Sequence, residues 1–320
     1  MVLFKTPPTL AGIEFRPYRG EADHSIVARF DHMGINILGF TDPAQLIFAE
    51  SKGETVGYGR VWLKPRDGEQ RFFLDLGVAP VWQESEFEAA LLTWQEACAC
   101  DLALAYPADA PHALYFFVAD HNPGLQRRLE ERGYTAERYD YKMMRTLDEP
   151  IAHHPLPAEL EVRPLQVAHL PALFDAFASS FNFDPTEGSD HSEESNRQIF
   201  VGAQAQLEPS QVAWAGDQVV GAVWNEVNVA EKSGYLSQIH TRPEWQRRGV
   251  ASALITRSLA YFQQQGLTTA TVEVQARNPQ ALRLYEQLGF RSQERITMYR
   301  KPLMINQNRR GEVGGIVGTL

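Results

Sequence analysis

Residues 240–259 read HTRPEWQRRGVASALITRSL, and this stretch contains the clearest structural signal in the chain. The residues that lead into it, Gly234 to Thr241, are typical of a β-strand. A helix is predicted to follow from Arg248 to Gln265, with Gly266 as its stop. Its apolar side chains recur along one stripe, at Ala251, Ile255, Leu259 and Phe262. The six residues from Gln246 to Ala251 therefore join the end of a strand to the start of a helix.

This QRRGVA segment has the composition of an anion site. A helix start leaves backbone N–H groups unpaired and has a partial positive charge. Gly249 has no side chain to block an approaching ligand, and Ala251 is nearly as small. We predict that a diphosphate binds here, at Gln246, Arg247, Arg248, Gly249, Val250 and Ala251. The alternative is an exposed basic helix start that binds nothing.

Strands and helices alternate around this segment. Thr269 to Ala276 alternates apolar and polar residues, as a half-buried strand does. Asn278 and Pro279 then have the order of an N-cap and a first helical residue, and Gly289 ends that helix. Further predicted elements are strands at Val219 to Trp224 and Phe290 to Arg300, and helices at Leu170 to Phe181 and Glu194 to Gly202.

A second motif stands after the Thr269 strand and reads N-x-x-A-x-x-L-Y-x-x-x-G-F, as Asn278, Ala281, Leu284, Tyr285, Gly289 and Phe290. Together with QRRGVA it resembles the GNAT acetyltransferase family, and the resemblance covers nearly all of residues 159–302. The resemblance implies an α/β (α+β) fold in which helices flank a mixed, mostly antiparallel sheet. It also implies an acyl-CoA-dependent N-acetyltransferase that uses acetyl-CoA.

The resemblance assigns roles to single residues as well. It implies that QRRGVA binds the coenzyme A pyrophosphate, and that Asn278 and Tyr285 lie beside the coenzyme. Backbone groups of Ile239, His240 and Thr241 are expected to meet the pantetheine arm. Tyr285 is expected to protonate the departing thiolate. A tyrosine hydroxyl has an ordinary pKa of about 10, and the coenzyme thiol, taken as cysteine-like, has one of about 8.5. This proton transfer is therefore uphill by only roughly 2 kcal/mol. The alternative is that Tyr285 only fills a core position.

The general base is not fixed by the sequence. Many relatives have a glutamate on the strand before the phosphate motif, but the two corresponding places here are Tyr235 and Gln238. Glu226, His240 and Glu273 remain as candidates acting through water, and each is also explained as a structural or solvated polar residue. A site without a strong base is expected to favour less basic amines, which are partly neutral at pH 7.

The N-terminal half repeats the pattern. VAPVWQESEFEAALLTW, from Val78, aligns without a gap with the segment from His240, and NPGLQRRLEERGY, from Asn122, aligns with the segment from Asn278. A proline-rich stretch, Asp148 to Glu159, is typical of a linker. We therefore predict two tandem GNAT-fold domains at residues 1–150 and 151–302, and a flexible tail at 303–320.

The N-terminal copy departs from the family at its phosphate motif. Glu84, Glu86 and Glu88 stand where the other half has Arg247, Gly249 and Ala251, and Leu129 stands in place of Tyr285. Carboxylates at that helix start would repel a diphosphate and occupy its place. We predict a degenerate domain without a coenzyme site, a layout similar to tandem acetyltransferases of the mycothiol synthase type.

Composition excludes several classes of function. A net charge of −10 disfavours nucleic acid, and no apolar run is long enough to span a membrane. The N-terminus has no signal-peptide pattern, and the two cysteines, Cys98 and Cys100, diverge on a predicted helix, so we expect a cytoplasmic protein without a disulfide or metal.

The expected reaction is direct transfer of an acetyl group from acetyl-CoA to a primary amine of a small molecule. The alternatives are an acyl-CoA sensor without turnover and acetylation of a protein amine. The acceptor and the oligomeric state stay open. An acidic loop from Phe181 to Ser195 would attract an ammonium group, or is simply a solvated loop.

Overall fold

A computed structural model describes residues 6–20, 23, 26, 30, 46–65, 68–107, 110–163, 165–180 and 210–304. The chain divides into two compact units, Met1–Arg138 with Ile296–Leu320, and Tyr139–Arg295. Within the described ranges, no helix is long and apolar enough to cross a membrane. The acidic loop, the predicted helix at Glu194 to Gly202 and residues 305–320 of the predicted tail lie outside the described residues.

The first unit is a mixed sheet with helices. Its strand order is β1-β2-β3-β4-β5-β12, and only β4 and β5 pair in parallel. Its described strands are β1 (Glu14–Pro17), β2 (Leu46–Ser51), β3 (Glu54–Leu63), β4 (Gln70–Val78), β5 (His112–Ala119) and the end of β12 (Arg291–Pro302). Its described α-helices are α1 (Glu86–Ala103) and α2 (Pro123–Glu131). Phe72, Leu91, Leu114 and Leu129 form the centre of its core.

The second unit repeats this arrangement, in the order β6-β11-β10-β9-β8-β7 with one parallel pair, β10 with β11. Its described strands are most of β6 (Thr135–Thr146), β7 (Glu161–Val162), β8 (Gln211–Ala215), β9 (Gln218–Asn228), β10 (Ser233–Thr241) and β11 (Thr269–Gln275). Its described α-helices are α3 (Leu170–Ser180), α4 (Val250–Gln264) and α5 (Pro279–Gln287). The predicted α/β class, with a mostly antiparallel sheet, is confirmed.

Two apolar clusters cover the two faces of the second sheet. On one face, α4 and α5 pack Leu254, Phe262 and Tyr285 against Val272 and other strand residues. On the other face, α3 packs Leu173 against Trp214, Ala222 and neighbouring side chains. Alternation along β9 therefore decides which helix each side chain meets.

The two units exchange their last strands. Residues Asp140 to Thr146 of β6 pair with β11 in the second unit, and Ile296 to Pro302 of β12 pair with β5 in the first. This differs from the predicted linear division at residue 150, because residues 139–150 belong to the second unit and 296–304 to the first. In the predicted tail, the N–H of Leu303 donates to the His112 carbonyl at 2.8 Å, so order continues past residue 302. Local sequence pattern predicts a strand but not its pairing partner.

Candidate active site

The strand before the phosphate motif is interrupted by a bulge. The register of β10 against β9 shifts between Leu236 and Gln238, and the parallel pairing of β10 with β11 runs only from Ser233 to Leu236. Beyond Leu236 the β11-facing edge of β10 has no ladder partner among the described strands. The backbone of Ile239, His240 and Thr241 lies on this open stretch, which is where the sequence predicted contacts to the pantetheine arm.

The loop after β10 adopts a conformation that needs glycine. A short 3₁₀ turn, Pro243–Trp245, is followed by Arg247 at φ +59° and Gly249 at φ +83°. The side-chain amide of Gln246 donates to the Thr241 carbonyl at 3.0 Å and ties the loop back to the strand. A left-handed residue cannot continue a helix, so α4 begins at Val250 and not at Arg248 as predicted.

The start of α4 has no acceptor within the described protein. Gly249 is its N-cap and provides no side-chain hydrogen bond, and the N–H groups of Arg247 and Arg248 find no described partner. A Cβ added at Gly249 would meet nothing within 4 Å, so the space in front of these amides is open. Unpaired amides and the helix dipole together favour an anion at this point.

The predicted basic residues differ in how they are held. Arg248 lies over the Trp245 ring, 4.3 Å from its centroid, and forms an exposed ion pair with Glu159. Arg247 is exposed and forms no ion pair with a described residue. Exposed pairs are worth at most about 1 kcal/mol, so either guanidinium is available to an anion.

Tyr285 lies in the core beside α4. It is 6% exposed and meets Phe290 edge to face, with ring centroids 5.9 Å apart. Burial raises the pKa of Tyr285 to about 12. The hydroxyl is therefore protonated at neutral pH, but full transfer to a thiolate of pKa about 8.5 costs roughly 5 kcal/mol in this setting. The Tyr285 hydroxyl is therefore better suited to donate a hydrogen bond that strengthens as the thiolate forms than to transfer its proton completely at an early stage.

Asn278 has a structural task. Its side-chain oxygen accepts the Ala281 N–H at 3.1 Å and caps α5. Asn122 caps α2 in the same way, accepting the Leu125 N–H at 3.0 Å, although the first unit lacks the QRRGVA segment. The capping role therefore explains the asparagine in both halves without a ligand.

Glu226 and His240 lie on one face of the second sheet, with α3. Tyr235 is directly opposite Glu226, and His240 is directly opposite Ala222, which packs against α3. His240 is 4% exposed, neither ring nitrogen has a partner among the described residues, and the ring meets Phe177 edge to face. Burial and the nearby Arg242 charge lower the pKa of His240 to about 4, so the imidazole is neutral.

Glu226 is half-buried, and this burial raises the pKa of its carboxyl above the ordinary value, with a hydrogen bond from Ser237 acting in the opposite direction. Glu273 lies on β11, directly opposite Lys142 of β6. The three base candidates are therefore distinct: a neutral buried imidazole, a half-buried carboxyl, and a carboxylate facing a lysine.

Some residues around the site were not singled out by sequence. Arg242 donates to the Val219 carbonyl at 2.7 Å and the Ser179 hydroxyl at 3.1 Å, and pairs with Asp175, so it fastens α3 to the sheet. Ser237 lies at the bulge of β10. Neither belongs to a motif, because their contacts are long-range.

The corresponding loop of the first unit keeps the backbone shape and fills the space. Glu84 has φ +55°, close to the +59° of Arg247. Ser85 caps α1 by accepting the Glu88 N–H, and the Glu88 carboxylate accepts the Glu84 N–H at 3.1 Å. Arg128 pairs with Glu88 at 2.6 Å. An internal carboxylate, 1% exposed as a residue, thus takes the place that the second unit leaves open.

Comparison with known proteins gives the second unit a family match. Residues 170–290 match the acetyltransferase (GNAT) family. The chain is similar to the mycothiol acetyltransferase of Streptomyces scabiei, with 38% identity over 89 residues, which are 28% of this chain and 29% of that protein. It is also similar to the mycothiol acetyltransferase of Acidimicrobium ferrooxidans, with 27% identity over 56% of this chain and 59% of that protein. The matches therefore span less than two thirds of these relatives.

Solved structures extend the likeness in fold to both units. A GCN5-related N-acetyltransferase from Sphaerobacter thermophilus has a TM-score of 0.70 at 20% identity, over 94% of this chain and 100% of that one. A tandem GNAT protein from the clavulanic acid biosynthesis pathway has a TM-score of 0.64 at 16% identity, over 91% of this chain and 98% of that one. The predicted tandem GNAT layout is confirmed at the level of fold.

Proposed function

We propose that the second unit transfers an acetyl group from acetyl-CoA to a primary amine of a small molecule. The start of α4 carries this proposal: its amides have no described partner, Gly249 leaves the approach open, and the unpaired edge of β10 leads up to it. A diphosphate fits the amides, and an extended pantetheine arm fits a strand edge that offers unpaired backbone groups.

Bound acetyl-CoA would supply the activated acyl group. Arg247 and the amides up to Val250 would hold the diphosphate, and the backbone from Ile239 to Thr241 would orient the arm. The buried Tyr285 hydroxyl holds a proton for the leaving sulfur. Both cysteines, Cys98 and Cys100, lie in the first half, so the proposal is direct attack by the amine without an acyl-enzyme.

The relatives named mycothiol acetyltransferase support a small-molecule amine as the acceptor. The site also favours a weakly basic amine, because β10 has Tyr235 and Gln238 at the places where many relatives have a glutamate. A less basic amine is partly neutral at pH 7 and needs less help from a base.

A peptide α-amine is the second candidate. The chain is 25% identical over 91 residues to the N-alpha-acetyltransferase 30 of Xenopus laevis, and an α-amino group of pKa about 7.7–8 meets the same requirement for weak basicity.

Turnover measurements separate these possibilities. Acetyl-CoA is offered with glucosamine, with α-amino acids and with a short peptide that has a free N-terminus, and thiol release is followed. Turnover with a small amine supports the proposal, and turnover with the peptide alone supports the second candidate. Binding of coenzyme A without turnover of any amine would contradict an enzymatic role and support a sensor.

A further inference from the structure

We propose that Glu226 is the base of the reaction, acting from β9, the strand next to the one that ends in the phosphate motif. The inference rests on the proposed acetyl transfer. It assigns to a neighbouring strand the carboxylate that β10 lacks, and it names a proton path from the acceptor amine.

The register of the β9–β10 hairpin places this carboxylate. Tyr235 and Glu226 are directly opposite in an antiparallel pair, so their side chains share a face and their Cβ atoms are about 4.5–5.5 Å apart. A carboxylate at position 226 of β9 can therefore reach the same part of this sheet face as a carboxylate at position 235 of β10 would. Trp224 and Ala222, two and four residues earlier on β9, pack towards α3, so Glu226 faces that side too.

Ser237 links Glu226 to the bulge. Its hydroxyl donates to the Trp224 carbonyl at 3.5 Å and lies near enough to the Glu226 carboxyl to lower the pKa of that carboxyl. Ser237 itself lies within the register shift between Leu236 and Gln238. The same bulge begins the open edge of β10, where the acyl thioester would lie. Glu226 therefore lies between the bulge and the hairpin turn, two residues from the last β9–β10 pair, Asn228 with Ser233.

The energetic setting of Glu226 does not suit a structural residue. Burial penalises its charged form, and no described cation contributes to its ionisation. A half-buried carboxylate without a counter-ion costs stability, so a purely structural position would be better filled by an uncharged side chain. Burial also moves the pKa of Glu226 upwards, nearer to that of an amine.

The other candidates are less suitable. Burial and the nearby Arg242 lower the pKa of His240 to about 4, so its imidazole is a weaker base than that of an ordinary histidine. Glu273 lies on β11, the other neighbour of β10, directly opposite Lys142 of β6.

In the proposed reaction, the acceptor ammonium gives one proton to a carboxylate oxygen of Glu226, which later passes it to water. The freed nitrogen lone pair forms the C–N bond with the carbonyl carbon while the C–S bond breaks. The sulfur leaves with the bonding electrons and takes the proton of the Tyr285 hydroxyl, and the second proton shed by the nitrogen restores that hydroxyl.

The test is the pH profile of kcat/KM in the full-length protein, with acetyl-CoA and whichever of glucosamine or the short peptide turns over. We expect Glu226→Gln to lower kcat about 10- to 10⁴-fold and to remove the acidic limb of the profile, which is the fall in kcat/KM at low pH. The coenzyme A affinity, measured by calorimetry, should be unchanged. Glu231→Gln, at an exposed site in the turn of the same hairpin, should keep the wild-type rate and profile.

Ser237→Ala gives a readout that a structural role would not produce. The nearby Ser237 hydroxyl lowers the pKa of Glu226, so its removal raises that pKa. The base must be deprotonated to act, so the acidic limb should move to higher pH while the rate at high pH is kept. The titratable and charged groups that the described strands place on the same face include Tyr235 and His240 on β10, Glu273 on β11, and Lys142 and Asp140 on β6; the Arg242–Asp175 pair lies beside α3.

Two results would overturn the assignment. A wild-type acidic limb in Glu226→Gln would exclude Glu226, and loss of that limb in Glu273→Gln alone would move the base to β11. Failure of the proposed function looks different, because the wild-type protein itself would then turn over none of the amines.

Discussion

At the scale of single residues, Gly249 and Gly266 stand at the two ends of α4 in the same backbone conformation. Their φ angles are +83° and +75°, and a Cβ at either would meet nothing within 4 Å. Any L side chain at either place is strained by about 1–2 kcal/mol, but only Gly249 lies at the positively polarised end of the helix. Substitutions at these two glycines therefore distinguish the effect of backbone strain from an effect on anion binding.

We predict that Gly249→Glu abolishes coenzyme A binding, measured by calorimetry, because a carboxylate enters the place of the diphosphate. Gly266→Glu should lose similar stability and keep the wild-type affinity, and circular dichroism should show both proteins folded. Equal affinities in the two variants would remove the coenzyme site from the start of α4.

Tyr285 offers a second test at this scale. Tyr285→Phe keeps the ring against Phe290 and removes only the hydroxyl, so turnover should fall about 10- to 10⁴-fold with little change in coenzyme A affinity. Tyr261→Phe, on α4 and packed against the same core, is the matched control and should keep full turnover. If both variants turn over like the wild type, Tyr285 is only a core residue.

At the scale of elements, the two units have the same loop and helix start, but they differ in whether a side chain accepts hydrogen bonds from its amides. In the first unit, Ser85 caps α1 and the Glu88 carboxylate accepts a loop N–H. In the second unit, the corresponding amides have no described acceptor. Two like charges about 4 Å apart repel by about 4 kcal/mol at an effective dielectric near 20, which exceeds the roughly 1 kcal/mol that a helix start offers an anion.

We therefore predict that the full chain binds one coenzyme A and that the Gly249→Glu protein binds none. Calorimetric stoichiometry measures both. A stoichiometry of two, or residual binding by the variant, would show that the first unit still holds coenzyme despite Glu88.

At the scale of the whole molecule, the exchanged strands decide which fragments are complete. The second unit is one continuous segment, Tyr139–Arg295, whereas the first needs both Met1–Arg138 and the end of β12. Within the second unit, Arg145 of β6 donates to the Pro150 carbonyl at 2.8 Å and also bonds to the Leu288 carbonyl. Residues before 151 thus hold the linker and the end of α5.

We predict that a fragment of residues 139–295 retains coenzyme A binding and that a fragment of residues 151–302 does not. The second fragment lacks β6, which leaves the edge of β11 unpaired, and it ends in a strand whose partner, β5, is missing. Solubility and calorimetry compare the two. Equal coenzyme affinity in both fragments would show that β6 is dispensable to the second unit.

The sequence by itself determined the local elements and the family. Periodicity predicted α4, β11 and α5 to within about two residues, since a helix or strand with one buried face shows that face in its spacing. The sequence shows that Gly249 is a glycine after two arginines. It does not show that this residue is left-handed and moves the start of the helix to Val250. The repeated motifs likewise predicted two copies of one fold, because each copy needs the same turns.

Only the tertiary structure decided which strands pair, on which face each base candidate lies and what fills the first loop. β6 and β12 have ordinary strand patterns, and their exchange depends on hydrogen bonds to partners more than 100 residues away. Glu226 is a base candidate in the sequence, but Ser237 belongs to no motif, and the two residues lie close because a bulge sets the register of β10 against β9. Glu88 was predicted to occupy the place of the diphosphate, but Arg128, which pairs with it, was not foreseen. Local pattern determines the elements, whereas contacts between distant residues depend on register and packing, which no short stretch of sequence encodes.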